Sequence, residues 1–231
     1  STLSVGGKTN LSNGLNVLGI TNLSSKLNVD GHTNLRDGLR VEGNTNLSGS
    51  LSVGGANVLS STLSVTGSVS LGDGTNALGE NTAALGKESV ANGNYSLAQG
   101  YQSYANGISS IAMGYQAKAC GEYSISLGQQ NYATGKNSFA AGYRSLASGS
   151  NSFAMGNLSK ANGATSIAMG DLSNASGLAS VAMGGSTTAS GDYTVAMGKD
   201  SSASGTGSFS IGEGSEAKPE STWASSVAMG K

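Results

Sequence analysis

One histidine, His32, and one cysteine, Cys120, supply the only imidazole and the only thiol in a chain of 231 residues. Nucleophilic catalysis needs a base beside its nucleophile, and a zinc site needs several nitrogen, sulfur or carboxylate ligands converging on one point. His32 has no such company. It fills a turn slot that Lys8, Ile20 and Asn44 fill elsewhere, and reads as a surface residue. Cys120 shares its slot with Asn106 and Thr134 and reads as an exposed thiol; standing alone, it forbids an intrachain disulfide. Met113, Met155, Met169, Met183, Met197 and Met229 all occupy one repeat slot, which suits adaptable packing better than a soft-metal or haem site. Gly128 to Gly135-Lys136 and Gly191 to Gly198-Lys199 have six intervening residues where a phosphate-cradling loop needs four. No paired carboxylates stand out for acid–base work. The reading is a protein that is not an enzyme, with no metal and no cofactor.

The tyrosines are the better candidates. Tyr101, Tyr115 and Tyr143 share one slot, read as a turn, and Tyr104 and Tyr132 share another on an outer strand, with Arg144 beside them. Aromatic faces and hydroxyls repeated along an exposed surface suit a glycan or protein ligand. The competing reading is that tyrosine merely covers the edge of a β structure.

These slots exist because the chain is two repeat systems in series. Over residues 1–67 the period is twelve, Leu-x-Val-x-Gly-x-Thr-Asn-Leu, with Leu at 3, 15, 27, 39, 51 and 63. Short alternation punctuated by Gly, Ser and Asn predicts strand and turn in succession, a β shaft. From 68 to 218 the period is fourteen, with glycine at 72 and at every fourteenth residue to 212, and a second glycine seven residues after each from 79 to 205. The unit is a heptad, Ser-x-Ala-x-Gly-x-x. A glycine in every heptad costs about 1 kcal/mol each in a helix, so a coiled coil is rejected. Residues 219–231 break the pattern: Pro219 stands where glycine is due, Trp223 follows, and the next apolar strand starts at Ser226, four residues late. This stretch reads as a loop insertion and a final rung.

Side chains alternate faces along a strand, so Ser and Ala share one side and the x residues the other. Facing positions that hold only Ser and Ala predict a thin coil with almost no core of its own. The x residues form two outward ladders in alternate heptads. One runs Leu97, Ile111, Ile125, Phe139, Phe153, Ile167, Val181, Val195, Phe209, and the other contains Met113, Leu127, Met155, Met169, Met183, Met197 and Ile211, broken at Gln99 and Ala141. A stripe of this length exceeds what a soluble monomer exposes, and the same stripe on sister chains around an axis is the economical cover. The expected architecture is all-β: a homotrimeric parallel β-solenoid preceded by a β-repeat shaft, with those ladders as the trimer core. Only 11% of residues are charged and the net charge is −1, which speaks against a nucleic-acid partner, and no apolar run is long enough for membrane insertion as a helix.

The fourteen-residue unit, seen in Asn151-Ser152-Phe153-Ala154-Met155-Gly156 and continued by Ser159, Ala161 and Gly163, resembles the head repeat of YadA-like trimeric autotransporter adhesins. That resemblance implies a trimer of left-handed β-rolls serving as an adhesive head. The twelve-residue unit looks like the shaft repeats of phage and large-virus fibres. Together they suggest an extracellular structural and adhesive fibre on a virion or phage tail, engaging a host-surface glycan or protein. The alternatives are the head of a bacterial adhesin at the outer-membrane surface and a passive mechanical spacer.

Overall fold

The computed structural model describes residues 64–218 and 225–230, all within the compact unit Leu59–Lys231. Residues 1–63 of the twelve-residue repeats, with His32, and Trp223 lie outside the described residues.

The described chain is a parallel β-solenoid of about eleven turns without a helix. Each fourteen-residue coil contributes one long strand, such as Ile111–Tyr115, and one short strand, such as Lys118–Ala119. The long strands form a twelve-stranded sheet and the short strands an eleven-stranded one. We call these the wide and the narrow sheet. Every rung pairs in the same register with the rung fourteen residues on: Ile111 with Ile125, Met113 with Leu127, Gly114 with Gly128. The last pairing, Phe209 with Val227 and Ile211 with Met229, spans eighteen residues, which places a four-residue insertion after the regular repeat.

The two sheets sit back to back on alanine. Ala84, Ala98, Ala112, Ala140, Ala154, Ala168, Ala182 and Ala196 from the wide sheet are fully buried, as are Ala91, Ala105, Ala119, Ala133, Ala147, Ala161, Ala175, Ala189 and Ala203 from the narrow one. The serines of the repeat are buried beside them, and several tie one coil to the next. Ser103 Oγ donates to Gly114 O at 2.7 Å and Ser145 Oγ to Gly156 O at 2.9 Å. In the same slot Asn131 is fully buried. Its amide nitrogen donates to Leu127 O and Gly142 O, and its amide oxygen accepts from Ser145 N at 2.7 Å. All three bonds would be expensive to leave unmade in so dry a core.

The two glycines of the coil have different reasons. The first, as at Gly170, has φ +122°, and a Cβ there would lie 2.1 Å from Gly184 O on the next rung. The second, as at Gly163, does not have positive φ; its Cβ would lie 1.9 Å from Gly177 O. Close approach of stacked backbones, rather than a turn dihedral, reserves that site for glycine. The left-handed conformation falls instead on the last residue of each heptad, which is mostly not glycine: Gln102, Ser109, Gln116, Tyr123, Gln130 and Asn137 all have φ between 50° and 56°. The backbone N–H groups there bond down the stack, Gln116 N to Tyr101 O at 2.8 Å and Tyr123 N to Ile108 O at 2.8 Å. Those bonds hold the unfavourable dihedral.

Candidate functional site

The apolar ladders occupy the face of the wide sheet turned away from the alanine core. Leu97, Ile111, Met113, Ile125, Leu127, Phe139, Phe153, Met155, Ile167, Met169, Val181, Met183, Val195, Met197, Phe209 and Ile211 are half-buried or exposed there, shielded only by their neighbours in the stack. Met155, Ile167 and Phe209 keep 39%, 36% and 38% of their surface open. Gln99 pairs with Met113 and Ala141 with Met155, which locates the two interruptions. Phe139 and Phe153 stack at 4.7 Å in the first ladder.

The tyrosines are divided between two places. Tyr101, Tyr115 and Tyr143 are the last residues of long strands, not turn residues as their spacing beside glycine suggested, because pairing continues one position past the glycine. Tyr101 and Tyr115 stack face to face with centroids 5.2 Å apart and planes 9° from parallel. Gln129 stands between Tyr115 and Tyr143 in the register, so Tyr143 is not in that stack and carries Arg144 over its ring at 5.2 Å instead.

Tyr104 and Tyr132 lie on the outer face of the narrow sheet, one rung either side of Lys118. The Lys118 Nζ atom is 5.7 Å from the Tyr104 centroid and 5.2 Å from that of Tyr132, within cation–π range of both. Sequence reading passed over Lys118, although it stands fourteen residues from each tyrosine; that spacing was the available signal.

Beside this group runs a ladder of amides on successive coils. Arg144 Nε donates to Gln130 Oε1 at 2.9 Å, Gln130 Nε2 to Gln116 Oε1 at 2.9 Å, Gln116 Nε2 to Gln102 Oε1 at 2.8 Å, and Gln102 Nε2 to Glu88 Oε2 at 2.6 Å. A cation begins the series and a carboxylate ends it, so the bonds polarise one another in a common direction. Gln102, Gln116, Tyr104, Lys118 and Tyr132 line a depression of about 320 Å³.

On the opposite edge Lys136 pairs with Glu122 at 2.8 Å and reaches over the Tyr123 ring at 5.8 Å. The hydrogen bond with Lys136 holds the Glu122 carboxyl below its usual range, and the same bond raises the Lys136 ammonium. Cys120 is exposed. Among the described residues no three His, Cys, Asp or Glu side chains gather as metal ligands would.

A search of curated proteins gives no match to this chain. Residues 66–89, 91–117, 119–145, 147–173 and 175–201, in contrast, each match the family described as YadA head domain repeat (2 copies). These five matches cover more than half of the sequence and follow the solenoid two coils at a time, and the chain belongs to the YadA head domain repeat family.

Proposed function

We propose that this chain is an adhesive segment of a homotrimeric extracellular fibre, with a shaft at 1–67, a head at 68–218, and an insertion and final rung at 219–231. The observation that carries the reading is the long run of apolar side chains on the outer face of the wide sheet, from Leu97 to Ile211 and broken only at Gln99 and Ala141, set against a core of alanine and serine. An alanine core contributes little burial per residue, whereas covering the rest of sixteen larger side chains contributes on the order of 10 kcal/mol per chain. Three copies closing on an axis cover that face and leave the narrow sheet open to a ligand. Membership of a head-repeat family supports adhesion as the role of that open surface.

Two carriers fit. The twelve-residue repeat favours a virion or phage tail fibre, and the family match favours the head of a trimeric adhesin on a bacterial outer membrane. The test is multi-angle light scattering and thermal unfolding of the purified chain, followed by binding of the labelled protein to host cells. A trimer whose dissociation coincides with unfolding, and which adheres, is expected. A folded monomer at micromolar concentration overturns the assembly, and a trimer that fails to adhere favours a passive spacer.

A further inference from the structure

We propose that the depression around Lys118 is a binding site for an anionic pyranose, a sugar ring bearing a carboxylate or a sulfate. The proposal rests on the adhesive reading and names the chemistry of its ligand.

The charge comes first. Lys136, Lys199 and Lys218 each have a carboxylate partner: Glu122, then Asp200 with Glu213, then Glu216. Among the described residues Lys118, like Lys87 and Lys160, has none; what sets it apart is that its ammonium rests between the Tyr104 and Tyr132 rings. A cation held by two aromatic faces is positioned without being neutralised, and the net charge of the site remains available to an anion.

The tyrosines define the width. They are two rungs apart, which at about 4.8 Å per rung places them roughly 10 Å from each other. The Lys118 side chain fills the space between them, so the sugar ring lies across the outer edges of the two tyrosines, with its acid group on the Lys118 ammonium. Tyr132 is 40% exposed, so part of its side chain is open to such contact.

The amides supply recognition of hydroxyls. A primary amide has two N–H donors and two lone pairs on its oxygen. Gln102 and Gln116 each spend one donor and one lone pair on the ladder, leaving one of each on both residues. Their carbonyls and amines are fixed by the neighbours above and below, so binding a vicinal diol costs little further side-chain order. The depression of about 320 Å³ is the right size for one monosaccharide unit. It lies on the narrow sheet, whose outer face is opposite the apolar ladders, so trimerisation leaves it accessible. Three copies per fibre multiply a weak single contact.

The experiment uses the purified full chain and four polyacrylamide conjugates, bearing N-acetylneuraminic acid, glucuronic acid, 6-sulfogalactose or galactose, read by biolayer interferometry. Binding of an acidic conjugate about tenfold or more above galactose is expected, weakening as salt rises. The conjugates that bind distinguish a carboxylate from a sulfate source. Lys118→Gln is expected to lower that binding by about tenfold, and Lys118→Arg, which keeps both charge and stacking, to retain it. Tyr104→Leu with Tyr132→Leu is expected to weaken it with the charge intact. Equal binding of galactose, no binding of any acidic conjugate, or full binding by Lys118→Gln overturns the site. Cell adhesion by the same proteins separates the two levels. Adhesion that Lys118→Gln leaves unchanged removes this depression while sparing the adhesive role, whereas a wild-type chain that does not adhere removes the role itself.

Discussion

The rings of Phe139 and Phe153 stack with centroids 4.7 Å apart and planes 6° from parallel. They are fourteen residues apart in sequence and directly opposite in register. Their separation matches the spacing between hydrogen-bonded strands, about 4.8 Å, so identical side chains on successive coils meet at van der Waals distance with no rotamer adjustment. The same geometry stacks Tyr101 on Tyr115 and passes the amide bond from Gln130 to Gln116 to Gln102. Each slot of the repeat therefore becomes a continuous ladder, and the property of a ladder is set by its residue type.

The ladder on the wide sheet gives a paired test of faces. Ile167→Asp puts a carboxylate into each copy of the apolar stripe, where in a trimer three meet without a cation. Loss of the assembled state is expected, read by light scattering. Lys160→Asp lies on the exposed outer face of the narrow sheet, and its melting temperature is expected to stay within a few degrees of the parent. Equal melting of the two variants would mean that the apolar face is not an interface.

Glycines with ordinary and with positive φ are expected to be equally intolerant. Gly163→Ala brings a methyl group to 1.9 Å from Gly177 O, and Gly170→Ala to 2.1 Å from Gly184 O with φ +122° in addition. Neither contact is relieved by a side-chain rotation, because the obstructing atom is backbone. Each is expected to cost about 1–3 kcal/mol per chain or more, measured by thermal or denaturant unfolding. A neutral Gly163→Ala would show that the narrow edge of the coil expands freely.

Thr165 is the place where the stack is expected to gain. It is exposed, β-branched, and held at φ 55°. A β-branched residue resists this region, while asparagine enters it readily. Thr165→Asn is expected to raise stability by about 1 kcal/mol per chain, seen as a higher melting temperature. A lower one would mean that the Thr165 Oγ1 bond to Ala164 O, 2.7 Å long, contributes more than the dihedral costs.

Much of this fold is legible in the sequence, and the reason is repetition. Ala112, Ala119, Ala133 and Ala140 recur at every seventh or fourteenth residue, so a single local rule, alternation about a strand, assigns the inward face of every coil at once. The outward placement of Ile111 and Met113 follows from the same rule, as does the four-residue delay at Ser226 that becomes the pairing of Phe209 with Val227. Other features depend on the distance between rungs, which no local rule contains. The left-handed φ of Gln116 and Leu158 is invisible in residue types that do not favour it, because hydrogen bonds to Tyr101 and Tyr143 on the preceding coil impose it. The need for glycine at Gly163 comes from a carbonyl fourteen residues away. Tyr143 shares a slot with Tyr101 and Tyr115, yet Gln129 in the intervening rung separates it from their stack. Lys118 gains its place between Tyr104 and Tyr132 only when three coils are stacked in one register. Sequence alone fixed which way each side chain points, since alternation is local. The tertiary structure decided which side chains touch, since contact is made across coils at the spacing of backbone hydrogen bonds.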